Sequence, residues 1–139
     1  MLRQLSVLLF LFLLLSCKKD SDEATPNFAS ISGTWRLAEI EKGTYGKKFW
    51  EKVDFKPSET RIFGTDGTIL DKDGLAVCCS PKNVLINGKT LDVRTNPSLT
   101  NPLCSLVDCI YCETWEMEWK NDEIIVTYCD GARYKYLRN

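Results

Sequence analysis

Apolar and polar residues alternate along most of the chain beyond residue 31, and turn dipeptides interrupt them at short intervals. Four of the eight glycines follow Asp or Asn, at Asp66-Gly67, Asp73-Gly74, Asn87-Gly88 and Asp130-Gly131. Such pairs favour tight hairpin turns because they tolerate φ > 0. Around them the pattern predicts strands at about 34–41, 48–55, 59–64, 68–71, 75–79, 84–87, 89–94, 109–120, 123–129 and 132–138, some of them fused. No segment of this region has helical periodicity. Many short strands at regular spacing predict a barrel or a sandwich.

The C-terminal meander is the clearest piece. Trp115, Met117 and Trp119 alternate with Glu116, Glu118 and Lys120, giving one apolar and one charged face. A turn centred on Asn121 and Asp122 pairs Trp119 with Ile124, Met117 with Val126 and Trp115 with Tyr128. The next turn has two solutions. A two-residue turn at Asp130-Gly131 sets Tyr128 opposite Arg133 and Val126 opposite Lys135, which lines the interior with cations and calls for an anionic ligand. A three-residue turn through Ala132 sets Tyr128 opposite Tyr134 and Val126 opposite Tyr136. A one-residue slip exchanges every side chain between faces, and the cost of unpaired buried charge favours the second solution.

The N-terminus differs from the rest. Arg3 is followed by an apolar run from Val7 to Leu15 and then by small Ser16 and Cys17. A bilayer span needs about 20 apolar residues, so this shorter run fits a signal h-region. Leu14-Leu15-Ser16-Cys17 resembles the bacterial lipobox, in which the cysteine thiol is acylated and the chain is cut before it. That resemblance implies a signal peptide at residues 1–16 and a lipid on Cys17. Two acyl chains suffice for stable membrane anchoring. Lys18 in place of an acidic residue implies the outer membrane, facing the periplasm or the surface. Residues 17–30 then form the lipidated N-terminus and a polar tether, which contains Pro26 and has a reach of roughly 20 Å. Acidic Asp20, Asp22 and Glu23 also fit a surface-display tether.

Residues 31–139 fit a single domain. Arg3 leaves with the signal, so 18 basic residues become 17 against 19 acidic ones, a formal charge of −2. That balance is no footprint for nucleic acid, which calls for a strongly basic face. Seven cysteines are present. With Cys17 acylated, Cys78, Cys79, Cys104, Cys109, Cys112 and Cys129 remain, an even set that predicts disulfides in an exported chain. Adjacent Cys78 and Cys79 would point to opposite strand faces and pair elsewhere. Two metal readings compete. Cys104, Cys109, Cys112 and Cys129 match the opening spacing of a plant-type iron–sulfur site, and Cys109-x2-Cys112 fits half a zinc site. Export to an oxidising compartment, with no histidine in the chain, favours disulfides and no metal or other cofactor.

Gly33-Thr34-Trp35 opens the first strand, and Tyr134-Lys135-Tyr136-Leu137-Arg138 ends the chain. Between them lie Phe63-Gly64-Thr65-Asp66-Gly67-Thr68 and Leu85-Ile86-Asn87-Gly88-Lys89-Thr90-Leu91. This order of features is similar to the lipocalin-like lipoproteins of Gram-negative bacteria. It implies an all-β fold, a small antiparallel up-and-down β-barrel, here stapled by disulfides. The six cysteines depart from that family, so loops around residues 75–112 are special to this chain and could plug the barrel.

A small eight-stranded barrel either fills with its own side chains or holds one small ligand. The interior candidates are Trp35, Leu37, Phe49, Val53, Phe55, Trp115, Met117, Trp119, Val126 and Tyr128. A ligand-binding role for Trp35, Phe55, Trp115, Met117, Trp119 and Tyr128 implies a small, mostly apolar molecule. The alternative is a plain hydrophobic core, which so small a domain favours, with loops around Pro97–Cys112 meeting a protein partner that the sequence does not identify. Trp50 fits a rim contact or a packed face. Without histidine, Ser–His and Cys–His pairs are excluded. No Walker or dinucleotide motif is present. Glu116 and Glu118 share a strand face and could pair as carboxylates, but fit a solvated face better. No catalytic residue is expected.

Overall fold

A computed structural model describes residues 25–139. The signal sequence, Cys17 and the start of the tether lie outside the described residues. A one-turn helix α1 (Phe28–Ile31) is followed by nine strands. They are β1 (Gly33–Thr44), β2 (Lys47–Lys52), β3 (Thr60–Phe63), β4 (Ile69–Leu70), β5 (Asn83–Ile86), β6 (Lys89–Asp92), β7 (Thr114–Lys120), β8 (Glu123–Thr127) and β9 (Arg133–Arg138). All nine belong to one sheet in the order β4-β3-β1-β9-β8-β7-β5-β6, with β2 also paired to β1. The sheet curls around one core as a half-barrel.

The fold is mostly β and carries three disulfides, but an up-and-down barrel needs correction. Strands β5 and β7 run parallel, with Val84 opposite Trp115 and Ile86 opposite Met117. A parallel neighbour requires a long crossover, and residues 93–113 supply it with two short 3-10 turns, Pro97–Leu99 and Pro102–Leu106. Edge strands β4 and β6 do not pair; the Arg94 amide donates to the Gly67 carbonyl at 2.9 Å and draws the two edges together. Asn87 extends the parallel ladder through its side chain, accepting from the Trp119 amide and donating to the Trp119 carbonyl, both at 2.8 Å.

One predicted strand is absent, and another begins late, at Thr114. Of residues 75–79, only Ala76 makes a bridge, to Leu70. Cys78 and Cys79 sit in a turn, Cys79 in the left-handed region at φ 61°. Residues 109–113 are also irregular, because disulfides rather than a ladder hold them. Conversely, β1 runs past residue 41 to a tight turn at Tyr45-Gly46, where both residues have positive φ.

Strand β1 explains how the inner face is kept apolar. Trp35 and Leu37 are buried, and the next inward apolar residue is Ile40, three positions on rather than two. Strict alternation would send Glu39 inward. Instead the pairing with β9 steps from Leu37–Tyr136 to Glu39–Lys135, leaving Ala38 as the extra residue of a β-bulge. The bulge resets the parity. Ile40 turns in opposite Tyr134, while Glu39 and Glu41 turn out. The Ala38 carbonyl is not wasted, accepting from the Val53 amide at 3.0 Å.

The β7–β8 pairing places Trp119 opposite Ile124 and Met117 opposite Val126, as the alternation predicts. Strands β8 and β9 turn through three residues, Cys129 to Gly131, one position earlier than expected. The Tyr128 amide donates to the Ala132 carbonyl at 2.9 Å. Val126 therefore faces Tyr134 and Ile124 faces Tyr136. Tyr134 and Tyr136 lie inside, as the three-residue solution requires, with each partner shifted by two residues. Arg133 and Lys135 lie outside, so the cation-lined interior is excluded.

Those two cations build the outer face. Arg133 reaches Glu41 and Glu118 at 2.7 Å each, and Lys135 reaches Glu39 at 2.8 Å. Trp50 packs beneath them, with its ring centroid 4.7 Å from Lys135 Nζ and 5.5 Å from the Arg133 guanidinium carbon. Trp50 is thus a packed face. At one end the core is sealed. Asn27, read as tether, caps α1 by accepting from the Ser30 amide at 2.9 Å, and Phe28 packs on the core. Trp35 Nε1 donates to the Ile31 carbonyl at 2.8 Å. The Arg138 guanidinium lies 4.3 Å over the Trp35 ring and donates to the carbonyls of Ser30 and Ser32.

Deleting Ile40 is expected to cost several kcal/mol, because the inward position opposite Tyr134 then passes to Glu41, or to Glu39 if the bulge is lost. Ala38→Gly, which keeps the residue count, should cost about 1 kcal/mol or less. Urea melts of the two variants check this; equal losses would show that the bulge does not set the register.

Candidate functional site

Buried side chains close the core beneath α1, whose outer side borders an open groove of about 550 Å³ with Asp66 and Arg94, and the core is hollow at the other end. The hollow is an open cavity of about 570 Å³, within the few hundred to a thousand Å³ usual for small-molecule sites. Leu37 and Ile40 of β1, Arg61 of β3, Trp115 of β7, and Tyr134 and Tyr136 of β9 form its floor and walls, with Tyr128 at the end of β8. Its rim consists of disulfide-bonded segments carrying Val77, Cys78, Cys79, Asp108, Ile110, Cys112, Cys129 and Asp130.

Three disulfides hold that rim. They join Cys78 to Cys104, Cys79 to Cys109 and Cys112 to Cys129, with Cα–Cα distances of 5.1, 5.3 and 5.6 Å. All six predicted cysteines are used, and the adjacent pair separates to different partners. The four cysteines at iron–sulfur spacing are divided among three bonds instead of facing one point, and Cys109 and Cys112 likewise have different partners. In chain-entropy terms, bridges spanning 17 to 30 residues contribute about 3 kcal/mol each. They fix a segment that has no ladder of its own. Cys112–Cys129 ties the entry of β7 to the β8–β9 turn, beside Trp115 and Tyr128.

The aromatic wall is ordered edge to face. Trp115 and Tyr128 have centroids 4.8 Å apart at 71°, and Tyr128 and Tyr134 are 5.1 Å apart at 85°. Such pairs stabilise beyond their area burial. The Tyr128 and Tyr136 hydroxyls lie 3.2 Å apart and share a hydrogen bond. Burial pushes both phenols above the ordinary tyrosine value, most strongly Tyr128. The opposing influence of the Arg61 charge on both is weaker.

Of the predicted ligand-binding residues, the structure brings Trp115 and Tyr128 together in the cavity. Met117 is buried in the solid core, and Trp35 is fully buried at the sealed end. Trp119 is half-buried there, donating from Nε1 to the Asn121 carbonyl at 2.9 Å. Phe55 is 47% exposed, because β2 ends at Lys52 and the chain leaves the sheet before reaching it. Phe49 is exposed as well, on the free edge of β2, whereas Val53 packs on the core. Glu116 and Glu118 lie on the solvated face of β7.

The interior candidates also omit Ile40, Val77, Ile110 and four charged lining residues, Glu59, Arg61, Asp108 and Asp130. A signal for Arg61 was present. It is two positions from Phe63, so in a strand the two share a face, and Phe63 is core. Register confirms the side: Arg61 lies opposite buried Trp35.

No family model matches the chain, and neither a curated protein nor a solved structure matches it.

The tyrosine pair makes stability depend on alkaline pH. A phenol raised above its ordinary value of 10.0 in the fold keeps its proton while the unfolded chain gives it up. Its stabilising contribution is therefore full below that value and declines as pH rises through and beyond it. Ultraviolet titration should show two of the five tyrosines un-ionised until the chain unfolds. Tyr128→Phe should lessen the alkaline loss of stability; an unchanged profile would remove the pair as its cause.

Proposed function

We infer that this chain is a lipid-anchored binding protein of the cell envelope that holds one small, mostly apolar molecule in the open end of its half-barrel. The observation that carries this reading is the cavity of about 570 Å³ walled by Trp115, Tyr128, Tyr134 and Tyr136. A domain needing only stability would gain by filling that space, since cavities cost apolar contacts. Here disulfides hold the rim around it instead. Transfer of an apolar ligand from water contributes about 25 cal/mol per Å² buried, and the edge-to-face wall offers flat contact area at little cost in side-chain freedom.

The address follows from the N-terminal pattern: a signal at residues 1–16, diacylglyceryl on Cys17, and Lys18 directing the chain to the outer membrane. The lipocalin-like kinship belongs to the same reading. Gly33-Thr34-Trp35 opens the central strand and the sheet curls around an apolar interior; the parallel β5–β7 pair is where the chain departs from that family's pattern. The role is non-enzymatic, consistent with a chain that lacks histidine.

A second reading has its own observation. Leu103, Leu106, Val107, Ile110 and Tyr111 are exposed on the disulfide-held segment, Leu106 and Ile110 by more than four-fifths. Exposed apolar clusters mark interaction surfaces, so this segment is where a protein partner would dock.

Native mass spectrometry of gently extracted protein is expected to show one retained small molecule per chain. Val77→Trp, which fills the cavity from its rim, should lose that molecule without lowering the melting temperature. A wild-type protein that is always empty would overturn the binding reading. Intact mass from the native host should separately show loss of residues 1–16 and a diacylglyceryl increment on Cys17. Retention of Met1 would overturn the anchored address.

A further inference from the structure

Beyond Ile40 the sheet continues as an arm. Pairing of β1 with β9 ends at Ile40, but pairing with β2 runs on to Thr44 and Lys47. The β1–β2 hairpin therefore projects from the open end of the half-barrel as two strands alone. Register decides which way its side chains point. Trp50 lies on the outer face beneath Arg133 and Lys135, so its neighbour Phe49 shares the face of Ile40, which lines the cavity. Lys42 lies opposite Phe49, and Lys47 opposite Thr44. Lys42, Lys47 and Phe49 thus continue the cavity side past the opening. Phe49 is 49% exposed, and Ile110, which lines the same opening from the disulfide-held segment, is 83% exposed.

The tip of the arm is unusual for a tight turn. In the first position of such turns the chain places Asn87 at φ 47° and Asn121 at φ 53°, but Tyr45 at φ 52°. Asparagine suits this left-handed conformation, whereas a bulky side chain there is strained. Tyr45 is fully exposed, so no packing offsets the strain. Its use lies outside the fold.

The arm is also a basic stretch in a chain of formal charge −1. Residues 41–56 hold five lysines, three acids and no arginine. Lys48 pairs with Glu41 at 3.0 Å, whereas Lys42 and Lys47 have no ion pair among the described residues. Glu51, opposite Ile40, is the acid on the cavity side of the arm. Lysine is depleted from protein interfaces, where arginine is preferred. Lysines interleaved with exposed aromatic rings instead suit a phospholipid surface. There the ammonium groups meet phosphates and the rings lie at headgroup level.

We propose that the open end of the half-barrel rests on an anionic phospholipid bilayer, held there by Tyr45, Phe49, Lys42 and Lys47 of the arm. An apolar molecule then passes between bilayer and cavity beside Phe49 and Ile110, without crossing water. This rests on the anchored, ligand-holding reading and adds the surface that faces the membrane. Thr25 follows Cys17 by eight residues, a reach of at most about 29 Å. Because α1 and the arm lie at opposite ends of β1, the docked domain lies lengthwise along the bilayer.

The test compares wild-type and Tyr45→Trp chains, each carrying its lipid, in vesicles whose acyl chains are brominated. The vesicles are phosphatidylcholine alone or an equal mixture with phosphatidylglycerol. Bromine quenches an indole only at contact, so the difference between the two proteins reports the tip. That difference should be strongly quenched in the mixed vesicles and much less in phosphatidylcholine alone. Adding Lys42→Gln and Lys47→Gln should weaken docking roughly fivefold per lysine, at an unchanged melting temperature. Amide exchange of wild-type residues 41–50 should slow in the mixed vesicles, which shows that the introduced indole is not the cause. If the protein floats with the vesicles but the tip is not quenched, the bilayer contact is overturned and the anchor stands. A stoichiometric protein that protects residues 41–50 in place of lipid would overturn it too. A chain that does not float with either vesicle has neither the anchor nor the contact.

Discussion

A change of one residue in the pairing of β8 with β9 would carry Tyr134 and Tyr136 to solvent and bring Arg133 and Lys135 into the core. The loop from Cys129 to Gly131 prevents this, and most of what is distinctive in the fold depends on that parity. With it, three aromatic side chains from the ends of β8 and β9 meet Trp115 at the open end of the half-barrel. The two cations then find the carboxylates of Glu39, Glu41, Glu118 and Glu123 and the face of Trp50 outside. Either surface alone would specify the register. Together they make the alternative doubly costly, since it strands charge inside and aromatic rings outside.

The same constraint is met differently in β1. There the apolar positions are two apart and then three apart, a spacing that no straight strand can bury. The extra residue Ala38 absorbs the mismatch. The order Leu37, Ala38, Glu39, Ile40 carries this signal, but uniform alternation does not register it, because a bulge is a local departure from that rule. Phe55 was misplaced for a related reason. The residue pattern continues as strand through residue 55, but the ladder stops at Lys52. By contrast, Trp115, Met117 and Trp119 were legible because their alternation, their turn and their partners on β8 all agree.

What the sequence did not disclose is mostly non-local. The β5–β7 pairing joins residues 31 apart, as Val84 with Trp115, through an irregular crossover, and no local pattern marks a parallel neighbour. Disulfide partners likewise depend on where the fold delivers each thiol; spacing established only that six cysteines would be available to pair. The α1 turn was hidden because Asn27 and Phe28 sit in a polar stretch whose composition reads as tether. At the cavity, the apolar half of the lining was partly legible as inward aromatics. The polar half, Glu59 and Arg61, was not, because charged residues in a strand are ordinarily assigned to its wet face.

The parallel pairing of β5 with β7 has a consequence for how the chain reaches its native state. Hairpins such as β7–β8–β9 form between sequence neighbours, at small loss of chain entropy. The β5–β6 hairpin can join them only after residues 93–113 have closed a long loop, and such contacts of high sequence separation slow assembly. A chain following this order presents the free edge of β7 to its surroundings until the hairpin arrives. The order of assembly, more than the final contacts, thus sets the interval in which the chain is most open to pairing with another strand.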